Sequence, residues 1–503
     1  MKRLGIMLFI TLLMIPVLLF STGQKEKAAE KKIVRVAEQV PGLITPGVWD
    51  GQAFSLNSSI YEYLADIDAE SGELVPVLAS SWSTDDGKIW TIKLNQGVTF
   101  HNGSAFSSED VKFTIERTQN PAIGHLKKED FAVVSSVETP DPFTVIIHLS
   151  ESRPTFIYQF TDYNMAILSA HYDYDTLGES KPMGTGPFIL EQMIPKESAV
   201  LVKNENYWQK GLPYLDNIYI YFVADIDASL SMLEDDRVDV VPFLTPTHQS
   251  ILEGREGISV VSPYQEQRFI SMAVDEKPFD DNRVRLAFKY AMDPEMIALS
   301  VARMPLGDGV YYNETPIMNS LAEYKERPLR SHDVEKAKQL LTEAGYPNGV
   351  TVPLYYASDH PFGKELSQTL KELAQQAGFT LELKGYTRDV YLAQYWLNVP
   401  LSITGWGGRI DPSMLLALAF KSDGSWNESH LKDATVDTLI DAISSEVDPD
   451  KRTEFYHQLQ DWFYENGALI NVQVPYLVAL NDRVLHYKQP LTMLPQYKYM
   501  DLK

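Results

Sequence analysis

The spacing of apolar residues divides the chain into two parts. Between Ile33 and about Phe222, β-rich runs such as 89–94, 143–149 and 219–222 lie between Asp-Gly, Asn-Gly and Pro breakers. This pattern predicts β-strands joined by turns. From about Asp280 onward, helical spacing dominates. Strands followed by alternating helices and strands are typical of an α/β protein.

In the second half, apolar residues recur at intervals of three and four residues, which predicts amphipathic helices. The segments are 284–292, 334–344, 366–377 and 455–463. Asp281 is placed to cap the first helix, Asp293 with Pro294 opens a further one, and Gly345 and Gly378 end the second and third. The run 379–383 then alternates as a strand does, and an apolar run, 468–480, follows the last helix.

The first 23 residues have the layout of a secretory signal peptide. Lys2 and Arg3 precede an apolar run from Leu4 to Phe20, and small residues follow. We expect cleavage after Gly23, with Ala29 as the second choice. Because the run is only just long enough to span a bilayer, an uncleaved membrane anchor stays open. A lipid anchor on cysteine is excluded, and the mature protein is predicted to lie outside the cytoplasm.

Composition removes several classes of function. The chain of 503 residues carries 44 basic and 68 acidic residues, a formal charge of -24, which would repel a nucleic-acid backbone or an anionic membrane. We therefore predict no nucleic-acid partner. The absence of cysteine excludes disulfides, thiolate metal sites and cysteine nucleophiles.

The motifs of common enzymes are also missing. The sequence contains no phosphate-binding Walker loop, no Gly-x-Ser-x-Gly elbow and no His-Glu-x-x-His pair. We predict no catalytic residue, no cofactor and no metal site, so the protein is not expected to be an enzyme. A secreted hydrolase stays open as the rival class, because carboxylates are abundant and two of them facing one cleft would go undetected in a sequence.

Five blocks of sequence, in order, resemble one known family. They are Leu74–Trp82 with 86–88, 97–103 and 109–111; Gly184–Phe188 with Asn204 and Tyr207-Trp208; Pro278–Asp281 with 283–285; Ala291–Asp293; and 336–338 with 344–346. The sequence is similar to the extracytoplasmic solute-binding proteins of peptide and nickel ABC importers, the oligopeptide- and dipeptide-binding class. The blocks extend over nearly the whole chain after the signal segment.

The resemblance implies a two-lobed periplasmic-binding-protein fold of α/β type with an extra β-rich domain inserted in the first lobe. The expected boundaries are 1–23 for the signal peptide; 33–60, 183–277 and 474–503 for lobe I; 61–182 for the insert; and 278–473 for lobe II. The insert coincides with the strand-rich part of the chain described above.

The resemblance also implies a function. The lobes would close on a solute by hinge bending, and the closed form would dock on the membrane permease of an ABC importer. We expect a peptide-like solute and a monomeric receptor. An oligosaccharide receptor of the same fold is the alternative within binding proteins.

In peptide-binding members of the family, a Gly-Trp segment of the second lobe pairs with the ligand as an added strand. Gly405, Trp406 and Gly407 match this segment. Where those members carry an Asp for the ligand's amino group, three residues after the Trp, this chain has Arg409, which favours a carboxylate or phosphate. Asp411 is a further candidate for ligand binding, and it either pairs with Arg409 or caps the helix that starts at Pro412. An anionic, blocked or γ-linked peptide is therefore as consistent with the sequence as a sugar.

Two further tryptophans are candidates for the pocket. Trp49 lies in the first loop, where the family commonly has Leu-Asp-Pro, and either lines the cleft or packs within the lobe. Trp426 follows Asp423-Gly424 and is a candidate for the rim. Nickel binding is not expected, because no histidine falls in these segments.

Overall fold

The computed structural model describes residues 31–48, 53–307, 309–360, 362–407 and 411–503. The predicted signal peptide lies outside these residues, and so do Trp49 and Arg409.

The described chain contains both strands and helices throughout. The strands are β1 (Ile33–Glu38), β2 (Ala65–Ile67), β3 (Leu74–Pro76), β4 (Ala79–Ser83), β5 (Ile89–Leu94), β6 (Val134–Asp141), β7 (Thr144–Leu149), β8 (Phe188–Ile194), β9 (Ser198–Lys203), β10 (Asn217–Phe222), β11 (Val240–Leu244), β12 (Ile258–Val261), β13 (Gln265–Met272), β14 (Tyr311–Asn313), β15 (Val350–Ala357), β16 (Phe379–Tyr386), β17 (Leu401–Trp406), β18 (Leu469–Pro475), β19 (Leu477–Asn481), β20 (Val484–Leu485) and β21 (Asp501–Leu502).

Most of the α-helices of the described residues lie in the second half of the chain. They are α1 (Phe54–Ile60), α2 (Ser108–Gln119), α3 (Tyr174–Leu177), α4 (Ile226–Glu234), α5 (Pro246–Leu252), α6 (Asn282–Ala291), α7 (Pro294–Ala302), α8 (Val334–Glu343), α9 (Gly363–Gln376), α10 (Arg388–Gln394), α11 (Pro412–Ala419), α12 (Ala434–Ser445) and α13 (Pro449–Asn466). The four predicted helices are confirmed as α6, α8, α9 and α13. Asp281 and Asp293 accept the expected N-cap hydrogen bonds of α6 and α7.

The first large sheet has seven strands in the order β12-β19-β11-β1-β10-β9-β8. β1 runs parallel to β10 and β11, and the other pairs are antiparallel. The second large sheet has six strands in the order β14-β18-β13-β17-β15-β16. Helices α6 to α9 pack on one of its faces and α11 to α13 on the other. Phe269 and its neighbour Ile270 point into these two opposite cores, as successive residues of a strand must.

A third, antiparallel sheet of order β4-β5-β7-β6 lies between residues 79 and 149, inside the range expected for the insert. Helix α2 packs on it through Val111 and Ile115. A capping box between Ser107 and Asp110 starts this helix.

Two crossings join the seven- and six-stranded sheets. The chain passes from β12 to β13 through Tyr264 and from β18 to β19 through Tyr476, and the backbone N–H of Tyr476 donates to the Tyr264 carbonyl over 2.9 Å. The expected boundary at residue 277 would leave β13 with lobe I, whereas β13 pairs with β17 and β18 of the other sheet. The sequence of β13 does not indicate which strands it pairs with, and the chain passes between the two sheets before the expected boundary.

Candidate functional site

Strand β17 has a partly open edge. It pairs along its whole length with β13, from Leu401 to Trp406, but with β15 only at Ser402 and Ile403. Residues 404–406 therefore have no strand partner on that side among the described residues. β15 and β17 are parallel, and their carboxyl ends lie at the same edge of the sheet. Solutes in open α/β sheets bind at such an edge.

A cavity of about 280 Å³ lies at this edge, near the lower end of the size range of ligand sites. Strand and helix ends supply part of the lining, and side chains of two chemical kinds supply the rest. The basic residues are Arg268, His360 and Arg388, and the aromatic residues are Tyr391, Trp396, Trp406 and Trp426. None of the described residues that line the cavity is a carboxylate.

Gly405 brings the basic side chains close to the backbone of β17. A Cβ at this position would lie 2.8 Å from the His360 ring and 3.4 Å from Nη1 of Arg268. Any larger residue would have to displace these groups. The glycine is therefore a condition for the present shape of the cavity.

Arg268 is a buried cation on β13. Its side chain is 2% exposed; Nη2 donates to Glu266 over 2.7 Å, and Nη1 donates to the Gln267 carbonyl over 3.0 Å. The guanidinium also lies over the Phe362 ring, 5.5 Å from its centroid. Its Nε atom has no hydrogen-bond partner among the described residues, so one donor of the guanidinium group stays unused.

The N-terminus of α9 also meets the cavity. Gly363, the first residue of this 14-residue helix, lines the cavity. The preceding residue, Phe362, adopts a left-handed conformation and makes no side-chain cap. The positive end of the helix dipole therefore adds to the charge of the arginines.

Tryptophans form the apolar wall. The rings of Trp396 and Trp426 meet edge to face with centroids 5.4 Å apart, and those of Trp406 and Trp426 are tilted at 5.7 Å. Trp406 is buried and Trp426 is 39% exposed, so the wall reaches from the core to the rim. Glu428 lies behind it and accepts hydrogen bonds from two of the indoles.

The structure brings three of the expected site residues together at the cavity: Gly405, Trp406 and Trp426. Gly407 follows β17 and is not among the residues that line the cavity.

Asp411 is the N-cap of α11. Its carboxylate accepts from the Ser413 backbone N–H over 3.0 Å and from the Ser413 hydroxyl over 2.7 Å. The Tyr456 hydroxyl donates to it as well, and the residue is buried. Of the two roles expected for Asp411, the helix cap is the one observed, and a role in ligand binding stays a prediction.

The sequence did not indicate Arg268, Arg388 or Trp396 as site residues. Arg268 follows three polar residues in β13, so the sequence contained no local signal that its side chain would be buried. Its position opposite Gly405 depends on the pairing of two distant strands.

Two features of the described residues bear on other functions. They contain no group of three or more histidines, aspartates or glutamates arranged to hold a metal ion. No helix in this part of the chain is long and apolar enough to cross a membrane.

Two sheets joined by two crossings, with a cavity at the ends of parallel strands, define a two-lobed solute-binding protein. The family model for bacterial extracellular solute-binding proteins, family 5 Middle, matches residues 73–427, and the chain belongs to this family. The glutathione-binding protein GsiB of Escherichia coli O1:K1 / APEC is 29% identical over 478 residues, which is 91% of each chain.

Solved structures agree on the fold. DppA from Helicobacter pylori, an ABC transporter-associated periplasmic binding protein in complex with the peptide STSA, superposes with a TM-score of 0.81 at 22% identity, over 93% of this chain and 98% of its own. AgaA from A. tumefaciens R10, in complex with agropinic acid, gives 0.79 at 22% identity, over 94% and 99%. The expected family and the two-lobed fold are thus confirmed.

The chain is therefore a substrate receptor of an ABC transporter. The family is periplasmic or extracytoplasmic, its members work with ABC permease subunits, and the relatives are binding proteins rather than enzymes.

Proposed function

We propose that this receptor binds a peptide-like solute with a free carboxylate, in the cavity at the carboxyl end of β17. The charge of the cavity carries the proposal. Arg268, His360 and Arg388 line it without a carboxylate among the described lining residues, in a chain whose formal charge is -24. A guanidinium group binds a carboxylate through two parallel hydrogen bonds. Cationic side chains at a cavity of an acidic protein attract anions from the surrounding solution.

The backbone of β17 supports the peptide-like part of the proposal. Residues 404–406 present an unpaired edge to which an extended peptide can add as a strand. Gly405 permits close approach, and Trp406 with Trp426 would cover the solute's apolar side. Gly407 and Arg409 extend this segment in sequence, and their roles in binding rest on the sequence pattern.

The relatives support the same class of solute. A relative over 91% of the chain is named as a glutathione-binding protein. Glutathione is a γ-linked tripeptide with free carboxylates, which matches both the peptide-like and the anionic requirement. It is therefore the first solute to test.

The remaining parts of the proposal concern the whole protein. We propose cleavage of the signal peptide after Gly23, a monomeric mature receptor and delivery of the solute unchanged to the permease. We retain the insert at 61–182 and move the passages between the lobes to Tyr264 and Tyr476, where the two sheets are joined.

Calorimetric titration of the mature protein with reduced glutathione tests the proposal. Glutathione diethyl ester and maltotriose are titrated in parallel, because the ester lacks the free carboxylates and the sugar represents the oligosaccharide alternative. We expect glutathione to bind and the ester to bind at least about tenfold more weakly, as loss of a charge-assisted hydrogen bond predicts. Arg388→Ala should weaken glutathione binding to a similar degree.

Arg255→Ala is the matched control, because this exposed arginine pairs with Glu234 and lies outside the cavity. Equal binding of glutathione and its ester, or preference for maltotriose, would overturn the anionic assignment. Mass spectrometry of the recovered solute separates binding from turnover, since a hydrolase would return a changed mass.

A further inference from the structure

Glu428 is a buried carboxylate directly behind the aromatic wall. One oxygen, Oε1, accepts the indole N–H of Trp396 over 2.9 Å and that of Trp406 over 3.1 Å. The other, Oε2, accepts the hydroxyl of Ser271 over 3.0 Å. The residue is 5% exposed, so water does not compete freely for these bonds.

A shared acceptor constrains both rings. An indole has a single N–H, which lies in the plane of the ring, so directing it at a fixed oxygen sets the orientation of the whole side chain. Ser271 holds the carboxylate itself against β13, the strand that also carries Arg268. Both indoles in turn contact Trp426.

We infer that Glu428 is the positioning residue of the solute cavity, fixing the ring planes of Trp396 and Trp406 that form its apolar wall. The inference extends the proposed function, and its consequence for solute binding rests on that proposal. Glu428 acts through the tryptophans and is not itself among the residues that line the cavity.

Removing the acceptor has a defined consequence. Without it, the buried N–H of Trp406 would lose its partner, and an unsatisfied buried donor is unfavourable. The indoles would turn toward water or toward new acceptors, and the wall would change shape. Glutamine keeps one oxygen for the two N–H groups, while its amide can donate to Ser271, so Glu428→Gln should preserve the geometry.

The indole N–H signals of a protein labelled with ¹⁵N-tryptophan report the geometry without any solute. Trp396→Phe and Trp406→Phe assign the two signals. We expect Glu428→Met to move both signals and to speed their exchange with solvent, whereas Glu428→Gln leaves them near their original positions. Binding of reduced glutathione should weaken about tenfold in Glu428→Met, as loss of the hydrogen bonds to the two indoles predicts, and less than about threefold in Glu428→Gln.

Glu62 supplies a matched control. This buried glutamate accepts the indole N–H of Trp208 over 2.9 Å and the hydroxyl of Tyr207 over 2.6 Å, outside the cavity. Glu62→Met should move the Trp208 signal and leave those of Trp396 and Trp406 unchanged, with unchanged glutathione affinity.

Unmoved Trp396 and Trp406 signals in Glu428→Met would overturn the inference, as would unchanged affinity despite moved signals. If that variant does not fold, Ser271→Ala decides the question, because release of Oε2 should shift both indole signals and unmoved signals would count against the inference. Failure of the wild-type protein to bind glutathione would overturn the proposed solute, while the solute-free spectra would still decide the role of Glu428.

Discussion

Arg268 lies directly opposite Gly405 in the antiparallel pairing of β13 and β17, and its Nη1 atom is 3.4 Å from the point that a Cβ at residue 405 would occupy. This pair places a buried cation next to the strand edge to which a peptide would add as a further strand. Because the glycine makes room for the guanidinium group, the charge of the cavity and the access to its backbone depend on the same position.

Gly405→Ala should therefore disturb the cavity. The new Cβ would lie 2.8 Å from the His360 ring, and moving that ring out of its present rotamer costs about 0.5–1.5 kcal/mol. We expect the free energy of unfolding to fall by this amount in urea titrations, and glutathione affinity to fall by about tenfold. Adding His360→Ala removes the clash and should recover the stability. A double variant no more stable than Gly405→Ala would contradict this explanation.

Glu38 should make stability depend on pH. Burial raises the pKa of Glu38 from 4.5 to about 7, although hydrogen bonds from Ser55 oppose the shift. The folded state thus binds this proton more tightly than the unfolded state, and the resulting stability is present below pH 4.5 and is lost as the pH rises through about 7. The loss is about 3 kcal/mol for a shift of this size.

Urea titrations at pH 5 and pH 8 test this expectation. Glu38→Gln has no carboxyl proton to lose, so the difference in unfolding free energy between wild type and variant should move in favour of the variant as the pH rises. Parallel pH profiles for the two proteins would show that Glu38 does not titrate in this range.

Glu314 holds two buried cations. Its carboxylate lies 3.1 Å from Nζ of Lys289 and 2.9 Å from Nε of Arg330, and burial lowers the pKa of Lys289. Glu314→Gln leaves both cations without their anion, so we expect a loss of about 3–5 kcal/mol in the free energy of unfolding. Glu335→Gln is the control, because the exposed pair with Lys338 should contribute less than about 0.5 kcal/mol. Equal effects of the two substitutions would refute the prediction.

Tyr264 and Tyr476 should couple the two crossings. Their rings stack with centroids 4.6 Å apart and planes 11° from parallel. A double-mutant cycle with Tyr264→Ala and Tyr476→Ala should give a coupling of about 0.5–1.5 kcal/mol in the free energy of unfolding. The edge-to-face pair Tyr172 and Tyr174, away from the crossings, serves for comparison. Additive effects of Tyr264→Ala and Tyr476→Ala would show that the stack contributes nothing beyond burial.

Local signals predicted the secondary structure closely. The run 89–94 is strand β5, and the run 143–149 contains β7. The N-caps Asp281 and Asp293 act within a few residues of their helices. Such elements can be predicted from the sequence because capping and alternation involve residues that are neighbours in the chain.

The residues of the candidate site could be predicted only in part from the sequence. Gly405 and Trp406 are adjacent and belong to one motif, and both line the cavity together with Trp426. Arg268, Arg388 and Trp396 come from other elements and carry no motif of their own. Asp411 was expected either to pair with Arg409 or to cap a helix, and its carboxylate caps α11.

By itself, the sequence determined the class of this protein: the ordered family blocks, the helix caps and the strand periods all depend on residues close together in the chain. Tertiary structure decided which sheet β13 joins, and therefore that Arg268 lies opposite Gly405. It also decided that Glu428 accepts hydrogen bonds from two tryptophans. The physical reason is that strand pairing and burial are long-range. Alternation of apolar and polar residues shows which face of a strand is buried. It does not show which strand, charged group or aromatic ring that face will contact.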